Sequence, residues 1–365
     1  MRNYNKALII GAVLLVGGGL GFIMYGFSAT GSIEKTESFI YDPNSPDLIE
    51  ELTFYVDLGS LLFKYNTSPA TSYAKIDVNI EISGLYMEGK TYQNFFTPSI
   101  EWWDNATATF NLQPIPDVWY NPSHWFKSYN ISVVVTLRTD VVYDLTAVTD
   151  VGAINMHSVP DGVLLNGISF TSSTGAITLS TLGNNEFSEK VRLESSTGKV
   201  VFSATKTNFT QGFSGLTSTG SLSLNFTNCL MGDDLIESSD TGSVTLKSYN
   251  MIYTKDIILN LESDTGSIDV ELCQYITMGA NVTGTWETNT GNIDVLYRDN
   301  LVDTDVRFIG STSLGSFNYV DNATMVITGI GDNIYSTLNY GDAANNYVFS
   351  LDTSTGSINA NAQSA

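Results

Sequence analysis

Ser172-Ser173-Thr174-Gly175-Ala176-Ile177-Thr178-Leu179 is followed by Ser195-Ser196-Thr197-Gly198-Lys199-Val200-Val201-Phe202. The same S/T-x-T-G-x-I-x-L pattern returns at Gly220, Gly242, Gly266 and Gly291, and in weaker form at Gly152, Gly315 and Gly356. Successive glycines from Gly152 to Gly315 are 23, 23, 22, 22, 24, 25 and 24 residues apart. The next step, to Gly356, is 41, too long for one unit and short for two, so the register is expected to loosen there.

The residues after each glycine give the conformation. Two places on stand Ile154, Ile177, Val200, Leu222, Val244, Ile268, Ile293, Phe317 and Ile358. Four places on stand Met156, Leu179, Phe202, Leu224, Leu246, Val270, Val295, Tyr319 and Ala360. The positions between are mostly Ser, Thr, Asn or Asp. A period of two is a strand with one face in and one face out. A second strand precedes the glycine, as in Val191–Glu194 and Ile257–Leu261. A unit of this length cannot bury its apolar face alone, whereas stacked units share one continuous core. All eight prolines lie at or before Pro160. A strand inside a parallel stack needs its N–H groups for the neighbouring unit, and proline has none. The chain therefore reads as all-β, a parallel β-helix (β-solenoid) of about nine coils over residues 148–365. The glycine is expected at a corner needing positive φ or close approach. The Ser or Asp two places before it is expected to close the turn.

The T-G-S-[IV]-x-[LV] ladder resembles the adhesin-like β-strand-repeat family of bacteria and archaea. The likeness spans residues 148–365 and reaches back to Asp57-Leu58-Gly59-Ser60-Leu61-Leu62-Phe63, which matches the degenerate Ser313-Leu314-Gly315-Ser316-Phe317. The resemblance implies a β-helix, surface exposure and an adhesive or envelope role. It supplies no catalytic residues.

Residues 33–147 differ in kind. They hold seven prolines and Trp102, Trp103, Trp119 and Trp125. Strand-like runs are Leu52–Val56, Ala74–Ile82, Thr107–Leu112 and Ile131–Leu137. This segment is expected to cap the open end of the repeats. The tryptophans are alternatively a glycan-stacking surface or a belt at a membrane surface.

Residues 7–27 are an uncharged apolar run, long enough to cross a bilayer as a helix. Arg2 and Lys6 precede it, and Glu34, Glu37 and Asp42 follow. By the positive-inside rule residues 1–6 form a cytoplasmic tail and the bulk of the chain lies outside the cell. A cleaved signal peptide is the rival reading, with Ala29 and Gly31 as a weak cleavage site. A pilin-type leader is a third.

The 365 residues carry 38 acidic and 16 basic side chains, a net charge of −22. That excludes a nucleic-acid partner, which needs a basic footprint. Two cysteines and two histidines exclude the usual four-ligand zinc site. Cys229 and Cys273 fall about two coils apart and are expected to be free, buried thiols. Seven sequons, at Asn66, Asn105, Asn130, Asn208, Asn225, Asn281 and Asn322, are no more than chance provides and permit glycosylation without arguing for it.

Stacking sets equivalent residues on neighbouring coils side by side. Asp269 and Asp294 share one position and Asp240 and Asp264 another. Adjacent carboxylates repel, so these four are calcium candidates. A solvated acidic stripe is the plainer reading. His124 and His157 have no recognisable partner, and no nucleophile–base set or phosphate loop is present. The expectation is a non-catalytic, single-pass, extracellular adhesin-like protein without a cofactor other than that calcium. It would present a Ser/Thr/Asn/Asp ladder to envelope glycans or surface proteins. The alternatives are a carbohydrate-active β-helix enzyme, or an envelope-stress sensor or accessory subunit acting with a membrane partner.

Overall fold

The computed structural model describes residues 30–43, 48–66, 72–85, 87–102, 107–115, 127–299, 304–319, 325–327, 333–337, 340–341 and 343–364. Residues 7–27 lie outside them. No helix among the described residues is long and apolar enough to cross a membrane.

Two large, mostly parallel sheets carry the chain, and the repeat glycines mark where it passes from one to the other. Strands after the glycine form one 13-stranded sheet. Its centre runs Ser60–Asn66, Ile154–Val159, Ile177–Thr181, Val200–Thr205, Leu222–Thr227, Val244–Tyr249, Ile268–Gln274, Ile293–Asp299. Strands before the glycine form the second, through Glu50–Leu58, Tyr143–Val151, Leu164–Thr174, Val191–Thr197, Phe213–Thr219, Leu235–Thr241, Ile257–Thr265 and Val282–Thr290. One strand from each sheet makes a tier. Registers align the glycines, with Thr197 opposite Thr219 before the corner and Val200 opposite Leu222 after it.

The corner is built from three elements. Gly175, Gly198 and Gly220 sit at φ +152, +156 and +153. A Cβ on any of them would overlap the carbonyl group of the preceding repeat glycine. Each glycine N–H donates to the residue before the next glycine, as from Gly198 to Thr219 (2.9 Å). From Gly152 to Gly291, and again at Gly356, the glycine carbonyl accepts a hydroxyl from the next tier. Ser195 donates to Gly175 (2.9 Å), Thr217 to Gly198 (3.1 Å), Ser239 to Gly220 (3.0 Å) and Ser263 to Gly242 (2.9 Å). These hydroxyls stand three places before their glycine and are buried. The residues two places before it, such as Ser173, Asp240 and Asp264, are exposed and do not close the turn.

Inward positions two and four after each glycine are buried from Ile154 through Ala360, except Phe317 and Tyr319. Those two lie in the terminal tier, where nothing among the described residues stacks beyond them in their sheet. Cys229 and Cys273 are free and buried.

The expected boundary at 147/148 is no break in the sheets. Glu50–Leu58 pairs in parallel with Tyr143–Val151, and Gly59 donates to Val151 (2.8 Å), so Gly59 heads the stack. Strands before and between these two close that end. Lys127–Arg138 pairs in parallel with Ser60–Asn66, and Ala74–Leu85 and Thr30–Tyr41 follow antiparallel. In the second sheet Thr107–Pro114 pairs with Glu50–Leu58, and Phe96–Trp102 follows antiparallel. Phe95, Phe96 and Phe110 are buried there.

The register does not loosen after Gly315. The tier of Asn345–Thr355 and Ile358–Ser364 lies between the tier of Val282–Thr290 and Ile293–Asp299 and the tier of Thr304–Leu314 and Phe317–Tyr319. Gly291 donates to Thr355 (3.0 Å) and Gly356 to Leu314 (3.0 Å). The glycine order along the stack ends Gly266, Gly291, Gly356, Gly315. Spacing along the chain cannot report this, because a returning segment satisfies the same bonds from either direction.

Glu237 breaks the inward pattern. It is 1% exposed, faces Gly215 on one side and Leu261 on the other, and neither carboxyl oxygen has a partner among the described residues. Burial pushes its carboxyl well above the usual range, favouring the protonated form.

Two stability measurements test these points. Ser239→Ala strands the Gly220 carbonyl and is expected to cost about 1–2 kcal/mol in denaturant unfolding. Gly220→Ala is expected to cost more than that, since backbone and not a side-chain tip must move. For Glu237 the folded group holds a proton that the unfolded chain releases above its ordinary value of 4.5. Stability is then full below that pH and falls as pH rises, by about 1.4 kcal/mol per unit for one proton, until the folded group ionises. Unfolding curves of Glu237→Gln should lose that slope, and Glu237→Leu should be more stable than the parent at neutral pH.

Candidate functional site

The outward face of the post-glycine sheet carries rows set by the tiers. One row, three places after each glycine, runs Thr245, Asp269, Asp294, Asn359 and Asn318. The next, two residues on, runs Lys247, Glu271, Leu296 and Asn361. Between them lies a shallow groove of about 410 Å³.

Its polar atoms are unevenly satisfied. Glu271 is held by Lys247 (3.5 Å) and Arg298 (3.2 Å). Asp294 accepts from Asn359 Nδ2 (2.6 Å), and Asn359 Oδ1 accepts from Asn318 Nδ2 (2.8 Å). Asn361 Oδ1 is buried and finds no donor among the described residues. Partial burial, then the charge of Asp294 alongside, raises the Asp269 carboxyl above its ordinary range. The groove is thus rich in acceptors and short of donors. A ligand bearing hydroxyls, an amine or a cation supplies what it lacks.

The four candidate aspartates lie in two places, one for each repeat position. Asp269 and Asp294 are register neighbours in the groove. Asp240 and Asp264 lie on the other side of the glycine corner, in the second sheet, and both are exposed. Asp264 accepts from Asn289 (2.9 Å). Asp240 lines a separate depression with Glu194, Ser218 and Ser238. Among the described residues no group of three or more His, Cys, Asp and Glu side chains converges on one point. Two carboxylates and amide oxygens are what the groove offers a hard cation.

The Trp102 side chain, Trp103, Trp119, Trp125 and His124 lie outside the described residues. Of the sequon asparagines, Asn130 and Asn225 are exposed. The Asn281 amide is engaged, donating to Asp256 (3.3 Å) and accepting from the Asn346 N–H (2.9 Å). Sequence reading did not single out Lys247, Glu271, Leu296, Asn359 or Asn361. Asn359 shares the repeat position of Asp269 and Asp294, but its place beside Asp294 depends on the inverted tier order.

No family model matches the chain, and no curated protein does. A solved structure of a candidate cell adhesion protein from Clostridium sporogenes is 14% identical over 90% of this chain and 100% of its own, with a TM-score of 0.23. A likeness of that size defines neither a shared fold nor a shared role.

The two aspartates are coupled by charge. Replacing Asp294 with Asn is expected to lower the Asp269 pKa toward its ordinary value, read from carboxyl carbon shifts in an NMR titration. An unchanged Asp269 titration would mean that burial alone sets it.

Proposed function

We propose that the chain is a non-catalytic, adhesin-like surface protein built as a parallel β-helix. Gly59 belongs to its first coil; antiparallel strands close both sheets at that end, and the second sheet at the other. The observation that carries the reading is the groove beside the Asp269–Asp294–Asn359 row: a rigid surface with spare acceptors on a repeating frame. Such a frame holds polar groups at fixed spacing with little entropy to lose on binding. Weak contacts repeated along it add through multivalency.

Polyhydroxylated ligands, envelope glycans among them, fit the acceptor row. Calcium bridging Asp269 and Asp294 is the proposed metal arm of the same site. On the sequence alone, residues 7–27 are proposed as the membrane anchor that leaves the repeats outside the cell.

One observation favours a carbohydrate-active enzyme as the second reading. Asp269 and Asp294 are adjacent carboxylates, and the raised group is the natural proton carrier.

Binding of the fluorescently labelled chain to immobilised neutral, amino and acidic oligosaccharides, with calcium and with chelator, tests the proposal. Saturable binding to neutral or amino sugars that drops at least tenfold in the Asp269→Asn/Asp294→Asn double variant is the expected result. Loss in chelator would assign the calcium arm. Release of reducing ends by the parent but not the double variant would favour the enzyme. Equal binding by parent and double variant would remove the groove from the function.

A further inference from the structure

The 345–364 tier is inserted into a slot whose two walls precede it in the chain. On one side Trp286 faces Leu351 and Asp294 faces Asn359. On the other Gly310 faces Leu351 and Asn318 faces Asn359. The slot selects for this repeat's own chemistry. Thr353 donates its hydroxyl to the Gly291 carbonyl (3.0 Å), and the Gly356 carbonyl accepts from Thr312 (3.0 Å). A Cβ on Gly356 would overlap the Gly291 carbonyl. An occupant therefore needs a hydroxyl, two spacer residues and a glycine in register.

The route into the slot is one short hinge. Ile334–Thr337 runs antiparallel along the outside of Thr304–Leu314, and the chain must then turn back to reach Asn345. Asp305, on the wall strand and buried, holds that turn. Its carboxylate accepts from Thr337 Oγ1 (3.0 Å) and from the N–H groups of Gly341 (2.8 Å) and Ala343 (3.1 Å). Gly341 takes φ +100 at the bend. Hydrogen bonds to a carboxylate are of the strong, charge-assisted kind.

A complete slot, a self-matching occupant and a single latched hinge are the elements of segment exchange between identical chains. We infer that the 345–364 tier is a joining element: Asp305 keeps it in its own chain, and when that latch opens the tier fills the same slot of a second copy. The second copy is the fitting partner because it carries the required hydroxyl and glycine in register. Exchange is reciprocal, so two chains close into a pair. The inference is independent of what the groove binds.

Cysteine pairs read the arrangement directly, since neighbouring parallel strands bring Cα atoms within disulfide reach. The full chain, with Cys229→Ala and Cys273→Ala, would carry Asp294→Cys with Asn359→Cys. A second form would carry Asp294→Cys with Asn318→Cys, which are neighbours only if the tiers stack in chain order. Each is refolded and oxidised at low and high protein concentration, with and without Asp305→Ala, and run on a non-reducing gel. Expected is an Asp294–Asn359 crosslink within single chains of the parent. With Asp305→Ala the dimeric crosslink should rise about tenfold and increase with concentration. Circular dichroism checks folding, and Asp305→Asn serves if the alanine variant does not fold. Monomeric crosslinks alone at every concentration in the folded latch variant overturn the inference, as does an Asp294–Asn318 crosslink.

Discussion

The carbonyl oxygen of each repeat glycine is where one tier is tied to the next. It lies so close to the following glycine that no side chain fits between them, and a hydroxyl from the following tier caps it. The two demands explain the S/T-x-T-G motif residue by residue. Glycine is required for approach and for φ. The Ser or Thr three places earlier is required because a buried carbonyl without a donor is costly. Once the corners align, both sheets are held in register. The alternation of apolar and polar positions then sends one face of every tier inward.

Within that frame the interior has little tolerance, and Glu237 shows where it is exceeded. A carboxyl with no partner among the described residues occupies the inward position taken by Leu193 and Leu261 in other tiers, in register with Gly215. The chain remains in the stack because its neighbours fix the register on both sides. The ends obey a different constraint. A parallel stack leaves unpaired strand edges, and here each sheet passes into antiparallel strands at the Gly59 end. At the other end the second sheet does so through Ile334–Thr337 and Met325–Ile327.

Much of this was legible because the signals are local. The strand after each glycine, the buried positions two and four beyond it, the free thiols and the adjacency of Asp269 and Asp294 all follow from spacing within a unit. The turn-closing hydroxyl was misplaced by one residue. Ser172 and Ser173, or Ser195 and Ser196, are chemically alike in sequence, and only the direction of the side chain separates them. The tier order could not be read at all. Gly315 and Gly356 present nearly the same bonding edge, so composition does not say which meets Gly291. Asn359 was missed for the same reason: it reaches Asp294 from 65 residues away, across that inversion. The Trp102 side chain, Trp103, Trp119 and Trp125 lie outside the described residues and leave the aromatic reading where the sequence left it.

The inverted tiers also bear on how such a chain changes length over evolutionary time. Any tier from Gly175 to Gly266 meets both neighbours through the same bonds, so an in-frame duplication or loss of 22–25 residues there preserves every contact at the two ends. Beyond Gly291 that freedom ends. A copy inserted between Gly315 and Gly356 would present two segments for one slot. Growth is therefore confined to the middle tiers, and the inverted end behaves as a fixed terminator.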